Sequence, residues 1–357
     1  MKNYICHNNY PTINLLVGFF IGILFLLALL IGLLSFIPFS YVKPLVDSLG
    51  IHNKVDLFTP SYCFSFIFKL RLLSFTLFLC AVLSLIFIKQ IIVNLSYYLS
   101  SINSSFHFYL NILDFKTIFK DIVVSYFLVY IFFIVVSIRI YYLNLPIRND
   151  EAVSFIYFAA KPLFVGLSSY PAPNNHLFNT FLVHMSYLVF GIKLWAIRLP
   201  ALIAGILLIP IVYLLVATYY NKYAAIIAAA LVSSSSLLIE YSTNARGYTI
   251  LVAIFLIILI LEMFLFYKSN SLICLLFICL ISIGFYTYPI MLFSLLIIAS
   301  SLIIYSMMNL CKDNRRWFIK QLFITLSFTF IIIVLSYIPV IIVQGIKAII
   351  ANDAVKE

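Results

Sequence analysis

The sequence predicts an all-α membrane protein, a polytopic bundle of about nine transmembrane helices with further helices at the membrane surface. Hydrophobic residues make up 65% of the chain and charged residues only 9%, whereas soluble domains carry roughly 25% charged residues. Apolar runs of about 20 residues recur along the chain, which is the length that a helix needs to cross the hydrocarbon layer. Strand-period alternation is absent from the sequence, which excludes an outer-membrane barrel.

Nine apolar runs are predicted to span the membrane. The fifth and the seventh are short for a span, so we expect them to be tilted or bounded differently. Lys69 and Arg71 are expected to mark the start of the second run, with their charged ends at the headgroups. The runs lie at about residues 14–37, 72–93, 121–142, 199–219, 224–239, 249–267, 271–285, 290–308 and 318–343.

These runs divide the chain into three predicted regions. Residues 1–120 hold two spans and then a segment rich in Ser, Asn and Tyr, which is expected to be amphipathic and interfacial. Residues 121–344 form the main membrane domain, and residues 345–357 form a polar tail. Within the main domain, residues 143–198 are the longest region without a clean span, and we predict that they form an extracytoplasmic loop.

Two short helices are predicted in this loop. Asn149 or Asp150 can cap the first, which continues to Ala160 and ends at Lys161-Pro162. The second covers residues 176–190, which are apolar but too few for a span, so we expect that helix to lie in the membrane interface.

The distribution of Lys and Arg predicts which side of the membrane each loop faces. The formal net charge is +11, and the basic residues cluster in short loops between apolar runs, so we expect a membrane topology signal and no nucleic-acid partner. If residues 143–198 face outward, the basic cluster at residues 312–320 faces the cytoplasm; making 176–190 a span would reverse this. The basic residues of the stretch 43–71 do not follow this distribution of Lys and Arg. The outward face then gathers Asp150, Glu151, His176, Glu240, Arg246, Tyr248 and Tyr288.

The outward-facing groups fit a group transfer from a phosphate. The N-terminal dipole of a helix favours the ionised form of Asp150, and such a carboxylate can take a proton from a hydroxyl nucleophile. Arg246, with Lys161 and His176, could balance the charge of a phosphate ligand or leaving group. These groups suit transfer from a lipid phosphate to a hydroxyl or an amine.

Several short motifs follow one another on a matching hydropathy pattern. With them, the chain resembles the GT-C membrane glycosyltransferases, in particular family 39, which includes protein O-mannosyltransferases, lipid A aminoarabinose transferases and bacterial lipopolysaccharide-core sugar transferases. The resemblance covers about residues 146–267 and is weaker through the later helices. The motifs are Asn149-Asp150-Glu151 after a span, residues 174–179 (NNHLFN), Phe190-Gly191, residues 195–205 (WAIRLPALIAG) and residues 240–248 (EYSTNARGY).

The resemblance implies an inverting transfer of a sugar from a polyprenyl-phosphate carrier to a lipid, glycan or protein acceptor, outside a bacterial plasma membrane. It further implies that Asp150 is the base on the acceptor, while Glu151 either positions the acceptor or holds Asp150. No cofactor beyond the lipid-linked donor is expected, and the six cysteines show no metal-ligand spacing. The residues expected to bind substrate are Lys161, Asn175, His176, Glu240, Arg246, Tyr248 and Tyr288.

Other interpretations stay open at this point. Glu240 can be a structural partner of Arg246, and His176 can simply anchor an interfacial helix. A transporter or flippase is the rival class, although transporters place ionisable groups at mid-membrane, whereas here polar groups concentrate on one surface. Because relatives usually continue beyond the position of Glu357, an inactive, truncated relative that binds carrier lipid is a third possibility.

Overall fold

The computed structural model describes residues 11–48, 60–93, 121–171, 175–267, 271–309 and 312–350. Throughout these ranges the regular structure is helical, without a β-strand. Seven of the described helices are long and apolar enough to cross a membrane. The predicted class, an all-α polytopic membrane bundle, is confirmed. The chain separates into two compact units, residues 1–104 and 105–357, which are described in turn.

The first unit is a helical hairpin of two long apolar helices, with one short helix between them along the chain. Its helices are α1 (Pro11–Leu34), α2 (Phe39–Ser48) and α3 (Pro60–Ile86). The hydroxyl of Ser74 donates to the carbonyl of Ala28 at 2.7 Å, so a polar link joins α3 to α1. The region 94–120, predicted to be amphipathic, lies outside the described residues, and the division of the chain at residues 120 and 344 stays a prediction.

The second span begins earlier than predicted. Helix α3 starts at Pro60, where the fixed φ of proline suits a first helical turn, so Lys69 and Arg71 lie inside the helix instead of marking its start. Arg71 is accommodated there because its Nε donates to Ser35 Oγ at 3.4 Å and its guanidinium lies 5.2 Å from the ring centroid of Phe36. Both partners follow the end of α1, which the sequence pattern does not reveal.

The second unit is built around one long central helix, Leu194–Tyr219, and four other helices pack against it: Ile122–Leu143, Leu177–Phe190, Lys222–Ser234 and Tyr248–Tyr267. A buried apolar cluster that includes Ile258, Ile281 and Leu302 joins the later helices. The helices of this unit are α4 (Ile122–Leu143), α5 (Asn149–Ser154), a π-helical turn (Phe155–Ala159), α6 (Leu163–Ser168), α7 (Leu177–Phe190), α8 (Leu194–Tyr219), α9 (Lys222–Ser234), α10 (Ser236–Ser242), α11 (Tyr248–Tyr267), α12 (Ser271–Thr287), α13 (Met291–Asn309), α14 (Lys312–Ser336), α15 (Ile338–Gln344) and α16 (Lys347–Ile350).

The fifth and seventh predicted spans differ from a simple membrane helix. The fifth is the pair α9 and α10, which are bent by 64° relative to each other at Ser235. The break falls in a run of four serines, whose hydroxyls compete for backbone hydrogen bonds and so weaken a helix. The seventh, α12, has only 17 residues. The described ranges therefore hold seven full-length spans, or eight if the bent pair counts as one, and not nine.

The two predicted helices of the outer loop are present. The first covers α5 and the π-helical turn and ends at Ala160, ahead of Lys161-Pro162 as predicted, but its N-cap is Arg148 and not Asn149 or Asp150. The second, α7, is 14 residues long and packs against α8 and α12. Its position in the membrane interface stays a prediction.

Candidate active site

The two adjacent acids of α5 lie in opposite environments. Both fall in the first turn of the helix, where successive side chains point about 100° apart. The side chain of Asp150 is 61% exposed, whereas that of Glu151 is 0% exposed. Glu151 is the third helical residue, and its Oε2 accepts a hydrogen bond from the backbone N–H of Arg148 at 3.3 Å. One acid is thus available for chemistry, and the other is part of the fold.

Glu151 is paired with Arg198 of α8 inside the protein. The Nε of Arg198 donates to Oε1 at 2.6 Å, and its Nη2 donates to Oε2 at 2.7 Å. The remaining N–H groups of Arg198 donate to the backbone carbonyls of Leu143, the last residue of α4, and of residues 145 and 146, which follow it. Every donor of this buried guanidinium has an acceptor. The pair therefore joins the end of α4, the start of α5 and the central helix α8.

A further hydrogen bond to Glu151 sets the position of Arg246. The backbone N–H of Ala245 donates to Glu151 Oε1 at 3.0 Å. Because this bond joins the residue after Asp150 to the residue before Arg246, those two side chains meet. Arg246 Nη1 donates to Asp150 Oδ2 at 2.5 Å. The structure therefore brings together the two residues on which the sequence-based site depends.

Arg246 lies beneath Asp150 and extends into an aromatic cluster. Its side chain is only 6% exposed. Its Nη2 donates to the hydroxyl of Tyr248 at 3.0 Å, and its guanidinium carbon lies 5.0 Å from the centroid of the same ring. The guanidinium is thus held on one side by a tyrosine and capped on the other by an exposed carboxylate.

His176 occupies the centre of this aromatic cluster. Its ring stacks on Tyr288 with the centroids 4.8 Å apart and the planes 5° from parallel, and it meets Tyr248 edge-on at 4.7 Å. Burial, and then the charge of Arg246, lower the pKa of His176 to about 3. The imidazole is therefore neutral near pH 7, which favours a hydrogen-bonding role over charge balance, and its contact with substrate stays a prediction. Neither ring nitrogen has a hydrogen-bond partner among the described residues.

Gly247 allows this cluster to close. A Cβ at Gly247 would lie 2.7 Å from Thr287 Cγ2 and 2.9 Å from His176 Nδ1. Any side chain at this position would push against the histidine ring. The glycine after Arg246 is therefore required by close packing between the start of α11, the N-cap of α7 and the end of α12.

Three other predicted binding residues have different surroundings. Asn175 is buried and bonded throughout: its Nδ2 donates to the carbonyls of Gly166 and Ser169, and its Oδ1 accepts from Thr180. It therefore stabilises the loop. Glu240 forms an exposed ion pair with Arg148. Lys161 is partly exposed just after the π-helical turn, and its ammonium has no ion pair within the described ranges.

Two residues that sequence reasoning missed organise the site. Arg198 lies in the motif of residues 195–205 at the predicted start of a span. At such a position an arginine is normally expected to contact lipid headgroups. Arg148 stood just before the Asp-Glu pair. The buried acid that pairs with Arg198 lies 47 residues away in the sequence, and the exposed acid that pairs with Arg148 lies 92 residues away. No local pattern could have paired them.

Comparison with known proteins bears on the second unit. Residues 175–343 match the sequence model of the family described as dolichyl-phosphate-mannose-protein mannosyltransferase. The predicted resemblance is confirmed over these residues, which are similar to the GT-C membrane glycosyltransferases. No curated protein and no solved structure gives a significant match.

The GT-C match covers slightly less than half of the chain, and it includes most of the site. It begins at Asn175 and takes in His176, Arg198, Arg246 and Tyr288, whereas Asp150 lies before it. The match supports an integral membrane glycosyltransferase.

Proposed function

We propose that this chain transfers a sugar from a polyprenyl-phosphate carrier to an acceptor on the extracytoplasmic side of the membrane, with inversion at the anomeric carbon. The observation that carries the proposal is the Asp150–Arg246 pair, in which an exposed carboxylate rests on a buried guanidinium at 2.5 Å. Displacement of a phosphate requires two groups: a base that the acceptor can reach, and a cation that stabilises the charge of the leaving phosphate.

In the proposed step, the acceptor oxygen attacks the anomeric carbon of the donor sugar. The new C–O bond forms as the bond from that carbon to the phosphate oxygen breaks, and this oxygen leaves with the electron pair. Asp150 takes the proton of the acceptor hydroxyl. Arg246 stabilises the negative charge that develops on the carrier phosphate, because a guanidinium binds phosphate oxygens through two parallel N–H groups.

The pairing of these two residues gives the reaction an order. Without donor, Asp150 is bonded to Nη1 of Arg246 and occupies a group that the donor phosphate would bind. The donor phosphate competes for the same N–H groups. When it binds Arg246, Asp150 is released toward the acceptor, so donor binding frees the base.

The aromatic cluster supplies binding groups of a different kind. His176 is neutral, so one ring nitrogen can donate and the other can accept a hydrogen bond. Sugar hydroxyls can accept the first bond and donate the second. Tyr248 and Tyr288 flank it with partly exposed rings. Lys161 is available as a second cation for the phosphate. We assign Glu240, through its ion pair with Arg148, to the rim of the same site.

The charge distribution supports the proposed sidedness. Placing the Asp150–Arg246 pair outside a plasma membrane puts the basic cluster of residues 312–320 in the cytoplasm. Lipid, glycan and protein hydroxyls all suit the proposed step as acceptors.

The proposed function is tested with purified full-length protein in nanodiscs and labelled polyprenyl-phosphate sugars. We expect Asp150→Asn to lower transfer by at least about 100-fold, in line with loss of a general base. Arg246→Gln should lower transfer and also weaken donor binding. Lys320→Gln, which removes an exposed charge elsewhere, serves as the control. Equal transfer by wild type and Asp150→Asn would remove Asp150 from the mechanism, and lipid translocation without transfer would favour the flippase class.

A further inference from the structure

A second arginine lies inside the bundle without the partners that Arg198 has. Arg139 of α4 is 0% exposed. Its Nε, Nη1 and Nη2 are all buried, and none of them has a hydrogen-bond partner in the ranges that the structure describes. Gly205 of α8 lies between it and Ser242 of α10: a Cβ at Gly205 would be 3.4 Å from Arg139 Nε and 2.2 Å from Ser242 Cβ.

Such an arrangement is costly unless something binds there. Arginine remains protonated in proteins and carries five N–H donors in a rigid plane. A buried charge without a partner is strongly unfavourable, and buried polar groups are normally satisfied. Arg198, in the same unit, has acceptors for all three of its nitrogens. The contrast indicates that the acceptors of Arg139 come from outside the chain.

We propose that Arg139 is the centre of an anion site that takes the phosphate monoester of a membrane lipid. The planar guanidinium matches the oxygens of a phosphate, which can accept two parallel N–H bonds from it. The inference does not depend on sugar transfer, since it concerns what occupies this position and not the reaction at Asp150.

The position of Arg139 favours a lipid over a dissolved anion. It precedes Leu143, the last residue of α4, by four residues, or about 6 Å along the helix, which is close to the level of lipid headgroups. Toward the water, the Arg198 guanidinium closes the end of α4 by binding the carbonyls of Leu143 and Leu145. Sideways, α4 and α10 present apolar side chains outward, with Ile140 53% and Leu237 56% exposed. A headgroup can enter from the bilayer more readily than through the sealed outer end.

The site also adjoins the candidate active site through the chain. Ser242 ends the seven-residue helix α10, and Arg246 follows in the next turn. A phosphate that enters beside Arg139 has to displace Ser242, because this residue packs against Gly205. Occupation of the site is therefore expected to move the segment that carries Arg246.

The test uses purified full-length protein in phosphatidylcholine nanodiscs, and it measures thermal unfolding with three added probes: polyprenyl phosphate, phosphatidic acid and inorganic phosphate. For wild type we expect both lipid monoesters to raise the unfolding midpoint by about 5 °C at saturating concentrations. A rise with polyprenyl phosphate alone would identify the carrier as the occupant, whereas a rise with both would identify a general headgroup site. Each of these results supports the proposal.

Two variants and a control make the result specific to Arg139. Arg139→Gln should lose the response to both lipids while its midpoint without lipid is at least that of wild type, because an unpaired buried charge is removed. Arg139→Lys should keep part of the response, and Lys320→Gln should keep all of it. An undiminished response in Arg139→Gln, or a response of wild type to inorganic phosphate alone, would overturn the proposal. So would the absence of a response to either lipid in wild type. None of these readouts involves sugar transfer, so failure here leaves the proposed function intact.

Discussion

At the scale of residues, the site depends on the different surroundings of two neighbouring acids. Asp150 is exposed and paired with Arg246, whereas Glu151 is buried and paired with Arg198. The sequence could suggest that Asp150 and Arg246 converge, because both lie in motifs on the same face. It could not assign Glu151, because the choice between holding the fold and touching substrate depends on burial, which an Asp-Glu dipeptide does not encode.

Removing the charge of Glu151 should destabilise the protein far more than removing that of Asp150. Glu151→Gln leaves Arg198 buried without its counter-ion, so we expect the free energy of unfolding to fall by about 3–5 kcal/mol. Asp150→Asn removes an exposed carboxylate and leaves the buried Arg246 with its bond to Tyr248, so it should cost clearly less than Glu151→Gln. Thermal or denaturant unfolding of the purified variants measures both.

A double variant provides the control for this prediction. Replacing the pair together, as Glu151→Leu with Arg198→Met, leaves no unpaired charge and should cost less than the sum of the single changes. Additive losses would show that the two side chains do not act as a pair.

His176 should make stability depend on pH. Its pKa is lowered from 6.5 to about 3 on folding, so between these values the unfolded chain binds a proton that the folded chain does not. Stability from this residue is therefore complete above about pH 6.5 and falls as the pH decreases, by about 1.4 kcal/mol per unit. When the pH is lowered from 6.5 to 5, the free energy of unfolding of wild type should fall by about 2 kcal/mol more than that of His176→Phe. Parallel stability profiles for the two proteins would contradict the buried neutral state.

At the scale of elements, the bend between α9 and α10 directs the chain toward the site. The serine run around Ser235 signals a weak point in the sequence, but the 64° angle depends on packing. Helix α10 approaches α8 closely enough that Gly205 faces Ser242 directly, which is how small residues permit close helix contact in membranes. Close approach of this kind involves positions far apart in sequence and was therefore not predictable from either motif.

Enlarging Gly205 should separate these two helices. A Cβ at this position would lie 2.2 Å from Ser242 Cβ, so Gly205→Ala should lower the free energy of unfolding by about 1–3 kcal/mol through overpacking. Ser242→Gly removes the opposing atom, and the double variant should recover most of the loss. The measurement is thermal unfolding of the three variants beside wild type. If Ser242→Gly gave no recovery, the contact would not be the cause.

At the scale of the whole molecule, hydropathy alone gave the class of protein and most of the spans. Composition and apolar run length are global properties, so they predict a membrane bundle without knowledge of any contact. They failed at α3, where a proline start and the partners of Arg71 extend the helix, and at the fifth run, where a bend replaces a straight span. The orientation of the bundle rests on charge counting and can be tested directly.

Cysteine labelling should find the two ends of α8 on opposite sides of the membrane. In a chain whose native cysteines are replaced, Lys193→Cys should react with a membrane-impermeant maleimide in intact cells, because it is exposed next to the outer loop. Tyr220→Cys, at a residue that is 79% exposed after the other end of α8, should react only after the cells are opened. Reaction of both in intact cells would contradict the proposed topology.

The bonds made by Glu151 also bear on biogenesis. Its partners Arg198 and Ala245 are synthesised 47 and 94 residues after it. Before these partners are synthesised, the carboxylate of Glu151 is more stable in water than inside the protein. We therefore expect α5 to stay undocked while several later helices leave the translocon. The outer pocket is then among the last parts of this unit to mature, and nascent chains stopped before Ala245 should carry a protease-sensitive loop that longer ones protect.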